Sequence, residues 1–291
     1  MALRLEKIWG WLLVLPALVF LVAFTHVPAI QSLINSFYSV PRGRKPAKFV
    51  GADNYERLIN DPVFWKVLEN NLWYALGTIP LSIGLAMLMA MMVNESFRGR
   101  AFARVSFFAP TVLPMVAVAN IWLFFYTPGF GLFDQITSLF GFGQSNYLGQ
   151  TDTALWAVML VAIWKEAGFF MIFYLAALQA IPPSLIDAAR IEGAGPWTIF
   201  RRVIFPLLMP ITLFVSVNAV INAFRLVDHL FLLTGGGPDN ASSLLLFYIY
   251  ESSFRYWDTA YGSTLTVVLL VILMIFALGQ VLALDKKVHY K

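Results

Sequence analysis

The sequence predicts an all-α integral membrane protein that crosses the bilayer six times, and three observations carry that prediction. Of the 291 residues, 59% are hydrophobic and only 12% charged, against about 25% charged in an average soluble chain, which is more apolar surface than a water-soluble core can hide. Six stretches, near 9–34, 71–93, 104–126, 154–178, 204–230 and 263–284, are long and apolar enough to cross about 30 Å of hydrocarbon as helices. Basic residues gather in the short polar gaps on one side of this pattern.

The first stretch opens with Arg4 and Lys7 before an apolar run from Ile8. The run continues to about Ile34, too long for the short core of a signal peptide, and reads as an uncleaved first span. The loop at 35–70 carries Asn54–Ile59 and Phe64–Leu68, two short amphipathic segments with interfacial aromatic residues. Pro16, Pro80, Pro110, Pro114 and Pro210 lie in or near spans, where membrane helices tolerate them. The loop at 127–153 is rich in glycine and polar residues, and the one at 231–262 has a Gly235-Gly236-Gly237-Pro238 turn followed by a helix-like aromatic stretch, Phe247–Phe254. The whole of 1–291 is expected to be one transmembrane domain.

With the N-terminus inside, the inner segments hold eleven basic residues: Arg4, Lys7, Arg98, Arg100, Arg104, Arg190, Arg201, Arg202, Lys286, Lys287 and Lys291. The longer outer segments hold eight (Arg42, Arg44, Lys45, Lys48, Arg57, Lys66, Arg225 and Arg255). The balance favours both termini in the cytoplasm.

The chemistry is narrowed mainly by what is missing. There is no cysteine, so disulfides, thiol nucleophiles and thiolate-bound metals are excluded. No phosphate loop, HExxH or GxSxG occurs, and His26, His229 and His289 are scattered. The net charge of +4 is spread over polar gaps and does not argue for nucleic acid.

Three places remain where function could sit. Lys165 and Glu166 fall mid-span among Val161, Ala162, Gly168 and Phe169, and a charge there costs about 2.5–3.5 kcal/mol to insert. They face protein or water, either as a structural pair or as part of a solute path. Asn218, Asn222, Arg225 and His229, spaced by four, three and four, would form one stripe on an α-helix with Asp228 at its edge. That stripe reads as the lining of a watery path or as an interhelical hydrogen-bond seam. With Trp164, the amides of Asn218 and Asn222 offer hydrogen bonds and a ring face to a polar solute, and Lys165 with Arg225 suits an anionic group. The third place is 182–203, where Pro182-Pro183 starts a short helix, Ser184 and Asp187 suggest a loose capping box, and Gly193 with Gly195-Pro196 stops it. Locally this is either a surface turn or a small-residue helix that another protein grips.

Read in full, that loop resembles the cytoplasmic EAA loop of ABC-importer permeases. Asp187-Ala188-Ala189 is followed after three residues by Gly193 and after nine more by Val203-Ile204-Phe205-Pro206. Asp, Val and Phe replace the family's Glu, Ile and Leu. Phe49–Tyr55, Leu178–Pro182, Leu233–Pro238 and Tyr248-Ile249-Tyr250, with the basic tail, extend the likeness to the carbohydrate branch, which handles maltose-type sugars and glycerol 3-phosphate.

The resemblance implies the type I importer permease fold in a bacterial inner membrane. It implies a heterodimer with a second related permease, two ATP-binding subunits at the cytoplasmic face and an extracytoplasmic solute-binding protein. The chain itself would hold no cofactor, ATP and Mg being bound by the partner subunits. Asp187, Ala188, Ala189, Arg190, Glu192, Gly193 and Pro206 would couple the chain to the ATPase. The alternatives are a stand-alone carrier or channel, which has no use for such a loop, and a membrane enzyme, for which no catalytic constellation is present.

Overall fold

The computed structural model describes residues 2–41, 43, 46–141 and 145–284. The basic residues Arg42, Arg44, Lys45, Lys286, Lys287 and Lys291 lie outside them. The regular elements among the described residues are all helices, apart from one isolated β-bridge between Tyr38 and Phe49. Five helical segments are long and apolar enough to span a membrane, or six if one bent pair counts as a single span. The contacts divide the chain into two compact units, Met1–Phe64 with Tyr248–Val271 and Trp65–Phe247 with Ile272–Lys291.

In the first unit, α1 (Ala2–Leu21) and α2 (Val27–Asn35) run through a π turn at Val22–His26. The next helix, α3 (Asp53–Ile59), is held by Asn54, whose amide donates to the carbonyls of Ser36 (2.8 Å) and Tyr38 (3.0 Å). Asp61 accepts from the hydroxyls of Tyr248 (2.6 Å) and Tyr261 and from the backbone N–H of Val63 (2.9 Å). Burial alone pushes the Asp61 carboxyl up, but these donors outweigh it and hold it below the usual carboxylate range. Arg57 pairs with Asp258 at 2.6 Å and lies 4.1 Å over the Tyr261 ring.

The second unit is built on three long helices. The first, α4 (Pro62–Asn94), absorbs Phe64–Leu68, expected as a separate short helix, because no breaker separates that segment from the span. The half-spans α5 (Arg100–Val112) and α6 (Met115–Tyr126) meet at 105°. The expected straight third span is therefore broken, because Leu113 and Pro114 are extended and Pro114 has no N–H to continue α5. The glycine-rich stretch after it contains α7 (Leu132–Leu139), tied by the buried Asp134, which accepts from the N–H of Gly129 (2.6 Å) and Ser145 (3.2 Å).

The fourth span is α8 (Ala154–Ala180), followed by α9 (Pro183–Ile191) and α10 (Pro196–Ile199). A π turn at Phe200–Ile204 leads into α11 (Phe205–Arg225), and after a break comes α12 (Asp228–Leu233). Met87, Ala90, Phe170, Tyr174, Leu208 and Val215 form the buried seam of α4, α8 and α11. The aromatic stretch is helical as expected, as α13 (Leu245–Tyr250) with a π turn at Glu251–Arg255, and α14 (Thr259–Leu284) starts four residues before the expected sixth span.

Candidate functional site

The polar groups of α8 and α11 meet. Asn222 donates its amide to Glu166 Oε2 at 2.6 Å, so these two residues close a hydrogen bond between the helices. Lys165 reaches the break in the third span, where its Nζ donates to the carbonyl oxygens of Leu113 (2.5 Å) and Pro110 (3.1 Å). Gly168, one turn further along α8, lets α5 approach closely, since a Cβ there would collide with the Phe107 carbonyl.

Two cavities share Lys165, Glu166 and Asn222. The wide one, about 280 Å³, is completed by Thr111, Phe169 and Asn218. The narrow one, about 20 Å³, is lined mostly by buried groups, among them Tyr74, Thr78, Ser82 and His229, together with half-buried Met115. It has room for about one water. Lys165, Glu166, Asn218 and Asn222 thus come together around one space. Thr111, Phe169, Tyr74, Thr78 and Ser82 were missed, although the four-residue spacing of Tyr74, Thr78 and Ser82 in the second span was a readable stripe.

The expected stripe through Asn218, Asn222, Arg225 and His229 does not continue. Leu226 is extended and ends α11, so His229 belongs to α12 and reaches the narrow cavity from that helix rather than along one stripe with Asn222. His229 is fully buried, and its Nε2 lies 3.1 Å from the Tyr74 hydroxyl. Asn218 spends its amide on the Phe214 carbonyl of its own helix (2.8 Å). Arg225 and Asp228 flank the break and are exposed. Trp164 is half-exposed and packs edge-on against Trp122 with centroids 5.6 Å apart.

The loop at 182–203 also differs from expectation at its start. Pro182 is the N-cap of α9 and no side chain caps it, so Ser184 and Asp187 form no capping box. Pro183, with its preset φ, starts the helix instead. Asp187 pairs with Arg190 at 3.3 Å, both exposed. The end is as expected: Gly193 takes φ +81°, and the N–H of Ala194 bonds the Ala189 carbonyl (3.0 Å), a glycine-terminated cap. Leu185, Ile191 and Trp197 are exposed, and Ala188 leaves a shallow surface between them.

Comparison with known proteins adds a relationship to this geometry. The family described as "Binding-protein-dependent transport system inner membrane component" matches residues 82–290. The sn-glycerol-3-phosphate transport system permease protein UgpA of Agrobacterium fabrum is 31% identical over 98% of this chain and 97% of its own. The probable starch degradation products transport system permease protein AmyD of Thermoanaerobacterium thermosulfurigenes is 29% identical over 96% of this chain and 95% of its own. In fold, the chain is similar to one from a crystal structure of a bacterial alginate ABC transporter in complex with an alginate pentasaccharide-bound periplasmic protein. The TM-score there is 0.86 at 21% identity, covering 97% of this chain and 96% of that one.

Proposed function

Because the chain belongs to the family of binding-protein-dependent transport system inner membrane components, and so is a multi-pass permease component rather than an ATPase, we propose that it forms half of the pathway for a sugar or sugar derivative. A second, related permease supplies the other half, an outer binding protein delivers the solute, and two ATP-binding subunits drive the cycle from the cytoplasmic side, where both termini lie. Asp187, Ala188, Ala189, Arg190, Glu192, Gly193 and Pro206 form the coupling segment. Lys165, Glu166, Asn218 and Asn222 border the path, with Trp164, Arg225, Asp228 and His229 in its surroundings.

The observation that carries this reading is the build of α9. An exposed short helix with small residues on its surface ends in a glycine whose φ of +81° turns the chain toward α11. A push on α9 then travels along continuous backbone to the helix that holds Asn222, and ATP-dependent contacts at α9 bias which state that helix adopts. The names of the relatives support a carbohydrate-type solute, and they include both a neutral and an anionic one. Exposed Arg225, with no ion pair among the described residues, is the cation available to an anionic group.

Gly193→Pro tests the reading. Proline cannot adopt that φ and loses the N–H bond to Arg190. In proteoliposomes with all partners, uptake per ATP hydrolysed should fall by about tenfold or more, the equivalent of about 1.4 kcal/mol of lost coupling, with insertion unchanged. Normal coupling would reduce the loop to a turn, and uptake by the chain without ATPase partners would favour a stand-alone carrier.

A further inference from the structure

Pro114 interrupts the third span, and the atom it deprives is identifiable. On an unbroken helix the N–H of residue 114 would bond the Pro110 carbonyl, four residues earlier, and proline has no N–H. The N–H of Val118 bonds the Pro114 carbonyl, so the new helix begins beyond Leu113 and leaves the Leu113 carbonyl outside it. These two carbonyls are the ones that Lys165 Nζ meets, at 3.1 and 2.5 Å. Unsatisfied carbonyls at membrane depth cost several kcal/mol each, so the ammonium replaces the donors that the break removes. Gly168 seats α5 on α8 one turn away, which fixes the distance Lys165 must span.

Residues on the two sides of the break line different cavities. Thr111, before it, lines the wide cavity, and Met115, after it, lines the narrow one, while Lys165, Glu166 and Asn222 belong to both. Resting on the reading of this chain as half of a solute pathway, we propose that Lys165 is a positioning residue that pins the break in the third span as the partition between the wide and narrow cavities, and is not a receptor for an anionic group of the solute.

The absence of cysteine gives a direct test, because a single introduced thiol is unique. Thr111→Cys and Met115→Cys are each placed in the full chain in membranes and reacted with a small water-soluble methanethiosulfonate. With Lys165 present, Met115→Cys should react about tenfold more slowly than Thr111→Cys, the ratio set by local opening of the partition. In Lys165→Met that difference should collapse, and Lys165→Arg, which retains several donors, should restore it.

If Lys165→Met fails to insert, Lys165→Gln carries the same comparison. The proposal is overturned if Met115→Cys reacts equally with and without Lys165. It is also overturned if inorganic phosphate protects Thr111→Cys in the Lys165 chain but not in Lys165→Met, the result expected of an anion receptor. Because labelling needs neither ATPase nor solute, its failure leaves the permease reading standing, while failure of coupled uptake would not touch the labelling result.

Discussion

Asp61 carries one carboxylate oxygen between two tyrosine hydroxyls while the other accepts a backbone N–H. Its folded-state pKa is depressed, so the unfolded chain binds protons first as pH falls. The stabilisation is therefore fully present above the ordinary carboxylate value of about 3.9 and is lost as pH falls through the lower folded value. Protection factors of the α3 amides should drop by about fivefold between pH 7 and pH 3, a modest effect because water reaches the site. Asp61→Asn should remove that pH dependence, and an unchanged pH profile in the variant would assign it to another group. Nothing in the local sequence around Asp61 announces this role, since its partners are 187 and 200 residues away. Lys165 was legible as a costly intramembrane charge, but its target was not, because the use of the ammonium depends on where Pro114 bends a different helix. The single stripe drawn through His229 was misread for a related reason: its spacing assumed a helix that Leu226 ends, although His229 lines the narrow cavity with Asn222 from α12.

Helix contacts sort the glycines by what surrounds them. At Gly168 the obstacle is the Phe107 backbone carbonyl, which cannot swing away, whereas at Gly77 it is the terminal methyl of Met159, which can. Gly168→Ala should therefore cost about 1–3 kcal/mol through overpacking, while Gly77→Ala should be close to neutral, because Met repacks readily. Thermal unfolding of the two variants in detergent decides it, and equal losses would contradict this packing argument. Hydrophobic length alone located the spans, because the bilayer sets a length that composition reveals directly. The break at Leu113–Pro114 was less legible, since a proline in a membrane helix leaves open whether the chain bends slightly or turns through 105°. The helix α7 was hidden by the glycines around it. Its stability comes from Asp134 and from the stacking of Phe133 on Tyr126 at 5.0 Å, which are tertiary effects.

On the scale of the whole chain, family membership and the six-span pattern agree, while orientation rests on the proposed topology. Phe140 and Ile191 are exposed and lie on either side of α8 in sequence. An impermeant maleimide applied to intact cells with the outer membrane permeabilised should label Phe140→Cys and spare Ile191→Cys, and the reverse pattern would invert the topology. The order of landmarks was readable along the full length because each is local. The pairing of Glu166 with Asn222 was not, because it joins residues 56 apart. The π turn at Phe200–Ile204 has a consequence for how α10 hands over to α11. Trp197 and Val215 are 18 residues apart, which on an uninterrupted α-helix is five whole turns and would put both on the same side. The extra residue accommodated by the π turn rotates everything beyond it by about 100°. Trp197 is accordingly 70% exposed while Val215 is fully buried, so the join works as a fixed angular offset that lets one continuous rod present its indole outward at one end and its valine inward at the other.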